Sequence, residues 1–345
     1  YPPRCRSRES HRHGGGDQQH AAAAAARDKT TGKKAAGRLL MFAYVAAEAL
    51  DDAEATSDAK YIVANGGEHE PGSNKDRHLV ERHPHAVIEG LALAGLATGA
   101  TKGYLYLIED MHGPRASAEM ALREANDADL LPFPIEIHCG PTTYVAGEET
   151  AALNAIEGQP AKPRKKPPFP GEAGLFGNPT TVNNTETLAH VAWIARHSGA
   201  AFAAIGTAES KGTLLFTLGD EVERPGVYEL PFGATYRQLI EDCGGGRKDG
   251  RTVRAILPAM SAAFLDAAHL DVPIAYETLQ PLGSSPGCGG VRIDAATTDP
   301  VALTLELADS FRQEHRGPCP PCQSPPPGPC AGAVLVPTGA AGDGH

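Results

Sequence analysis

The segment from Lys60 to His138 constrains the fold of this chain more than any other, because its apolar residues alternate between two periods. Lys60-Tyr61-Ile62-Val63-Ala64-Asn65 is a short apolar run that stops at Gly66-Gly67, which predicts a strand. Residues 84–100 carry Val87, Ile88, Leu91, Leu93 and Leu96 among alanines and glycines, which predicts a closely packed helix. Gly103–Ile108 then predicts a second strand, residues 115–129 a second helix and Pro134–His138 a third strand. Strands alternating with helices in this way imply an α/β fold with a parallel sheet, whose ligand sites lie beyond the carboxyl ends of the strands.

After Gly212 the pattern changes. An apolar strand over Thr213–Leu218, a Pro225-Gly226 turn, a strand over Val227–Leu230 and a helix over Thr235–Asp242 that ends in Gly244-Gly245-Gly246 predict a small α+β unit. A last periodic segment, Val301–Arg312, predicts a helix, and past Gly317 the composition turns to Pro, Gly and Ala, which cannot bury a core. Residues 1–36 join Arg, His, a glycine triplet and the alanines 21–26 without helical amphipathicity, so they read as a disordered or processed segment. At 345 residues the chain exceeds what one hydrophobic core usually serves.

Charge and cysteine usage narrow the partners. A formal net charge of -11 repels the phosphate backbone that supplies most nucleic-acid affinity, so no nucleic acid is expected. No apolar run reaches the roughly 20 residues of a spanning helix, so no direct membrane insertion is expected either. The 7 cysteines are too few and too unevenly spread for a disulfide scaffold, which points to a reducing compartment. His11, His13, His20, His83 and His85 read as polar surface or tail residues.

Four polar clusters carry the candidate chemistry. Asn65-Gly66-Gly67-Glu68-His69-Glu70-Pro71-Gly72 closes the first strand with amide and carboxylate side chains; by local pattern alone it is a polar turn. Tyr144-Val145-Ala146-Gly147-Glu148-Glu149-Thr150 sets two carboxylates at the start of a helix over Thr150–Ile156, where acids also suit the helix dipole. Pro163-Arg164-Lys165-Lys166-Pro167-Pro168-Phe169-Pro170 is stiff and basic, as a linker would be. Thr180–Thr187 places Asn183 and Asn184 before a helix, where asparagine caps free N–H groups.

Together, in this order and spacing, the four clusters resemble the NADH-binding flavoprotein subunit of respiratory complex I, related to the diaphorase subunits of NAD-linked formate dehydrogenases and hydrogenases. The resemblance runs from about Lys60 to Cys322 and includes Lys75-Asp76-Arg77, Ile88-Glu89-Gly90 and Arg224-Pro225-Gly226-Val227-Tyr228-Glu229. It implies an FMN/NADH-binding α/β domain over 37–205, a β-grasp-like domain and linker over 206–298, and a truncated helical iron–sulfur remnant over 299–345. It also implies that Asn65, Glu68, Tyr144, Gly147, Glu148, Asn183, Asn184 and Thr187 line FMN, while Glu70, Glu149, Lys166 and Phe169 face NADH. The hydride chemistry would be carried by the flavin, with no catalytic side chain. The implied partners are a thioredoxin-like 2Fe-2S subunit and other peripheral-arm subunits of an electron-transfer complex. The implied location is the cytoplasmic side of a bacterial inner membrane or the mitochondrial matrix side.

The sequence also departs from that pattern. The family's glycine-rich phosphate loop is missing: Gly37-Arg38 is followed by Leu39-Leu40-Met41, whose side chains block close backbone approach. Gly67 stands where the family has a carboxylate expected to contact the flavin, and Pro258-Ala259-Met260-Ser261 stands where it has paired glycines. Arg316 occupies the first position of the family's C-x-x-C-x-x-C cluster motif, which leaves Cys319, Cys322 and Cys330 as an incomplete ligand set for a 4Fe-4S cluster, with zinc on these cysteines and His315 as a competitor. Two functions follow. One is an NADH dehydrogenase subunit that passes electrons through FMN to iron–sulfur clusters toward quinone. The other is a degraded paralogue that keeps the fold as a structural subunit. A free-standing nucleotide-binding module has only the parallel-sheet pattern behind it.

Overall fold

The structure is a computed structural model and describes residues 59–260, 262–295, 305–307 and 309. Its first layer is a four-stranded parallel sheet in the order β3-β2-β1-β4, formed by β1 (Tyr61–Asn65), β2 (Lys102–Ile108), β3 (Ile135–Gly140) and β4 (Thr180–Asn184). Helices α1 (Lys75–Arg82), α2 (Pro84–Thr98), α3 (His112–Asp127), α4 (Glu149–Ile156) and α5 (Thr185–His197) pack on it. Because strand side chains alternate, the sheet buries two faces. Ile62, Ala64, Leu105 and Leu107 meet Val87, Ile88 and Leu91 of α2 and Leu188 of α5, while Val63, Tyr104 and Tyr106 meet Ala152 and Leu153 of α4. Apolar positions on both faces of β1 and β2 explain why these strands read as continuous hydrophobic runs.

The helix boundaries follow from local chemistry. Pro84 opens α2, where its missing N–H costs nothing, and Gly99 closes it in the left-handed conformation at φ 70. Gly90 lies where α2 crosses α5, and a Cβ there would stand 1.8 Å from the Leu188 carbonyl oxygen. Helix α3 begins three residues earlier than the periodicity predicts, because Pro114 fits within a first turn. The polar segment 180–184, read from sequence only as a cap, is the strand β4. Thr180 and Thr181 are buried in it, and it pairs with β1 in the register Ala64↔Asn183 and Asn65↔Asn184.

A second, mixed sheet has the order β6-β5-β9-β7-β8, with β5 (Thr213–Leu218), β6 (Gly226–Pro231), β7 (Val253–Leu257), β8 (Leu265–Asp266) and β9 (Gly290–Ala295). The hairpin β5–β6 matches the sequence pattern; β7, β8 and β9 were not legible there. Phe216, Leu218, Tyr236, Leu239, Ile256 and Ile293 form its core. The helix across it widens into π-helical turns over Gln238–Cys243. Of the segment Val301–Arg312, residues 305–307 and 309 are helical and the rest lies outside the described residues, as do residues 1–36, Leu39-Leu40-Met41, Arg316, Cys319, Cys322 and Cys330. Among the described residues no helix is long and apolar enough to cross a membrane.

The sheet's strand order reverses at β1. From β1 the chain moves outward to β2 and β3, then returns to lay β4 on the other side of β1. The crevice beyond the carboxyl ends of β1 and β4 is therefore a topological switch point, where no crossover connection covers the strand ends.

Candidate functional site

A cavity of about 480 Å³ opens at that switch point, lined by the ends of β1 and β4, the loop after β1, the start of α1, the turn Tyr144–Gly147 with Glu148, Pro163 and one residue of the second sheet's loops, Cys288. Asn65 is the last residue of β1. Its Nδ2 donates to the Gly147 carbonyl at 3.0 Å, and its Oδ1 accepts from the Gly67 N–H at 3.2 Å. One amide thus joins the loop after β1 to the turn Tyr144–Gly147. Asn184, level with Asn65 on β4, caps α5 by accepting from the Glu186 N–H at 3.0 Å, and its Nδ2 donates to the Asn65 carbonyl at 3.1 Å. Asn184 therefore both caps a helix and lines the cavity.

Below Asn184 lies an ion cluster that the sequence did not reveal. Lys75 Nζ, on a side chain 7% exposed, donates to Asp76 at 2.8 Å and to Asn184 Oδ1 at 2.8 Å, and pairs with Glu186 at 3.2 Å. Asp76 also accepts from Thr185 Oγ1 at 2.6 Å and Asn184 Nδ2 at 3.0 Å, and Glu186 accepts from the Leu215 N–H at 2.7 Å. Burial works against the Lys75 ammonium, yet the Asp76 and Glu186 carboxylates hold its pKa above the ordinary lysine value. Burial raises Glu186, with Lys75 opposing. Adjacent opposite charges at a helix start carry no site signal of their own, so only the fold discloses that Ser73, Lys75 and Asp76 line a cavity.

The loop residues are equally well held. Glu68, 9% exposed, accepts from Ser73 Oγ at 2.5 Å and from the Arg77 N–H at 2.8 Å, at the N-terminus of α1. Burial and then the Asp76 charge push its carboxyl above the usual range. Glu70 accepts from Tyr144 Oη at 2.9 Å with one oxygen and from the Met260 N–H at 2.6 Å with the other, so it straps the first sheet's loops to the segment after β7. Burial and then Glu70 raise the Tyr144 phenol, and burial and then Glu70 push the Cys288 thiol up to about 12.

At the rim, Glu148 is the N-cap of α4, accepting from the Thr150 N–H at 2.8 Å and the Ala151 N–H at 3.1 Å. Lys166 Nζ pairs with Glu148 at 2.9 Å and with Glu149. Burial works to raise the Glu148 carboxyl, but hydrogen bonds from Thr150, Lys166 and the Ala151 N–H hold it below the ordinary value. Of the residues the sequence singled out, Asn65, Glu68, Glu70, Tyr144, Gly147, Glu148 and Asn184 line the cavity. Glu149 and Lys166 stand one ion pair behind Glu148. Asn183 precedes Asn184 on β4 and is in register with Ala64, Thr187 is partly buried in the first turn of α5, and Phe169 is 55% exposed; none of these three lines the cavity. Among the described residues no group of three or more His, Cys, Asp or Glu side chains is placed to hold a metal ion.

The sequence pattern of the Nuo51 FMN-binding domain matches residues 43–193, and that of the SLBB domain matches residues 217–259. The chain is 39% identical over 280 residues to the F 2 subunit of NADH-quinone oxidoreductase from Rhizobium meliloti (strain 1021), covering 78% of this chain and 66% of that protein. It is 36% identical over 274 residues to the F subunit of NADH-quinone oxidoreductase from Escherichia coli (strain K12), covering 76% of this chain and 62% of that protein. The fold is similar to that of NAD+-reducing [NiFe]-hydrogenase in the air-oxidized state, with a TM-score of 0.76 at 31% identity over 92% of this chain and 53% of that one. The chain thus spans 62% to 66% of the length of these two relatives and about half of the hydrogenase chain.

Proposed function

We propose that the chain is a member of the NADH-quinone oxidoreductase F-subunit family, an NADH-oxidising flavoprotein subunit whose cavity at the switch point binds FMN. The observation that carries the reading is the convergence of Asn65, Glu68, Tyr144, Gly147, Glu148 and Asn184 on one cavity of about 480 Å³. That volume lies in the range of small-molecule sites, roughly 300–1,000 Å³. The lining suits a flat heterocycle with both acceptors and an N–H on its edge, because amide, phenol and carboxylate side chains converge on the cavity.

When bound, the flavin supplies hydride acceptance from NADH and release of single electrons. The chain's own residues position and screen. Asn65 and Asn184 fix the strand ends, Glu68 is pinned to the start of α1, and Glu70 with Tyr144 closes one side of the cavity. Glu149 and Lys166, behind Glu148, offer a carboxylate for sugar hydroxyls and an ammonium for phosphate, and the exposed Phe169 offers a ring for base stacking, which suits the nicotinamide dinucleotide. Asn183 and Thr187 act in this reading through the strand and helix that carry Asn184.

The division near residue 205, between this domain and the β-grasp-like unit, belongs to the same proposal. So does onward transfer through iron–sulfur clusters toward quinone, with a thioredoxin-like 2Fe-2S subunit docked on the peripheral arm. A second reading, a structural paralogue without flavin, is favoured by Gly67 in place of a carboxylate and by Arg316. The test is reconstitution: purified chain mixed with FMN is expected to retain it through gel filtration and to reduce ferricyanide with NADH. A colourless, inactive protein that still assembles with partner subunits would instead support the second reading.

A further inference from the structure

The wall of the cavity contains an interlock between one imidazole ring and two glycines. His69 lies within the carboxylate-bearing loop, between Glu68 and Glu70, and its ring lies against both glycines. A Cβ on Gly67 would stand 2.8 Å from His69 Nε2 and 2.8 Å from Tyr106 Cε1, and a Cβ on Gly147 would stand 2.8 Å from His69 Cδ2. Such separations are closer than van der Waals contact, so a side chain at either position would have to displace the imidazole, and at residue 67 the Tyr106 ring as well. The Asn65 amide bridges these same two glycines, from the Gly67 N–H to the Gly147 carbonyl. Both ring nitrogens of His69 are buried, and the ring packs against Tyr106 at a centroid distance of 6.5 Å. Tyr106, itself fully buried, continues the stack to His138 at 6.1 Å.

We propose that His69 is a positioning residue for the cofactor: its ring, together with that of Tyr106, fills the space that a side chain at position 67 would take, and it supports the Gly67 and Gly147 backbone against the flavin. The inference rests on the flavin reading above and deepens it. Its chemical consequence is that the wall at residue 67 presents neutral backbone where the resemblance leads one to expect a carboxylate. A negative charge beside the ring disfavours electron uptake, so the bare wall raises the reduction potential of bound flavin relative to a carboxylate-bearing one.

The test uses the full chain with three substitutions: Gly67→Asp, His69→Ala and the two together. Binding of FMN is read by fluorescence quenching, the midpoint potential of bound flavin by spectroelectrochemistry, and folding by melting temperature. His69→Ala is expected to weaken FMN binding about tenfold, as a lost buttress of roughly 1.4 kcal/mol would. Gly67→Asp is expected to weaken FMN binding more when His69 is present than when combined with His69→Ala, where only the Tyr106 ring still crowds the new side chain, and the double variant to hold flavin at a lower potential than wild type. Equal effects of Gly67→Asp with and without His69, or an unchanged potential in the double variant, overturn the proposal. Wild-type protein that takes up no FMN overturns the functional reading and the cofactor role of His69 with it, while coupling of the two substitutions in melting temperature still reports the interlock separately.

Discussion

Two ion clusters flank the same cavity, and they differ in one physical variable. Beneath it, Lys75, Asp76 and Glu186 are 7%, 6% and 9% exposed at their side chains; at its rim, Lys166, Glu148 and Glu149 are 29%, 30% and 40% exposed. Each cluster sets one lysine between two carboxylates. In the buried one every charge has lost water, so each partner is needed to keep the others tolerable, and removing one leaves a charge stranded. At the rim water can replace any lost partner, so the same pairing contributes little to stability and its groups stay available to a ligand. Burial, rather than residue type, separates what the two clusters are expected to contribute to stability.

The largest expected effect breaks the buried cluster. Lys75→Met should cost about 3–5 kcal/mol, because Asp76 and Glu186 would face each other without a counter-charge. Urea denaturation measures it, and a loss under about 1 kcal/mol would erase the distinction between the clusters. Lys166→Ala should change stability by less than about 1 kcal/mol yet weaken NADH binding to the reconstituted protein, an outcome isothermal titration can read. If both quantities stay put, Lys166 belongs to the surface and not to the site.

Two pH effects sharpen the contrast further. The Glu148 carboxyl is held below its ordinary value when folded, so its contribution is present above the unfolded pKa and disappears as pH falls through the folded one. The difference in urea midpoint between wild type and Glu148→Gln should therefore shrink below about pH 4. The smallest effect concerns Cys288. With its thiol pushed up to about 12 by burial and then Glu70, it stays protonated where an ordinary cysteine ionises, and its alkylation by iodoacetamide should remain slow at pH 9. Fast alkylation there, mapped by mass spectrometry to Cys288, would mean the cavity is wetter than the geometry requires.

The first sheet was legible because β1 and β2 are buried on both faces and spell continuous apolar runs between glycines. Its fourth strand was not, since Thr180–Asn184 is polar: the strand exists because β1 offers it a ladder, and its threonines are buried by tertiary packing. Within the site, Asn65, Glu68, Glu70 and Glu148 stood out as clustered polar residues beside glycines. Lys75 and Asp76 did not, because a Lys-Asp pair at a helix start is what a solvated surface also shows. Cys288 comes from a loop more than two hundred residues along the chain from Asn65, a proximity that no local pattern encodes. The amides read as helix caps illustrate the remaining ambiguity: Asn184 is both cap and cavity wall, and sequence offers no means of choosing.

The claim on which all of this depends is that the cavity between β1 and β4 receives a flavin. Equilibrium dialysis of the purified chain against FMN, followed by the visible absorption spectrum, tests it most directly. One flavin per chain is expected, lost on Asn184→Leu, whose side chain can neither cap α5 nor reach Asn65. Dialysis that leaves the protein colourless, or binding that survives the loss of Asn184 unchanged, would contradict the account.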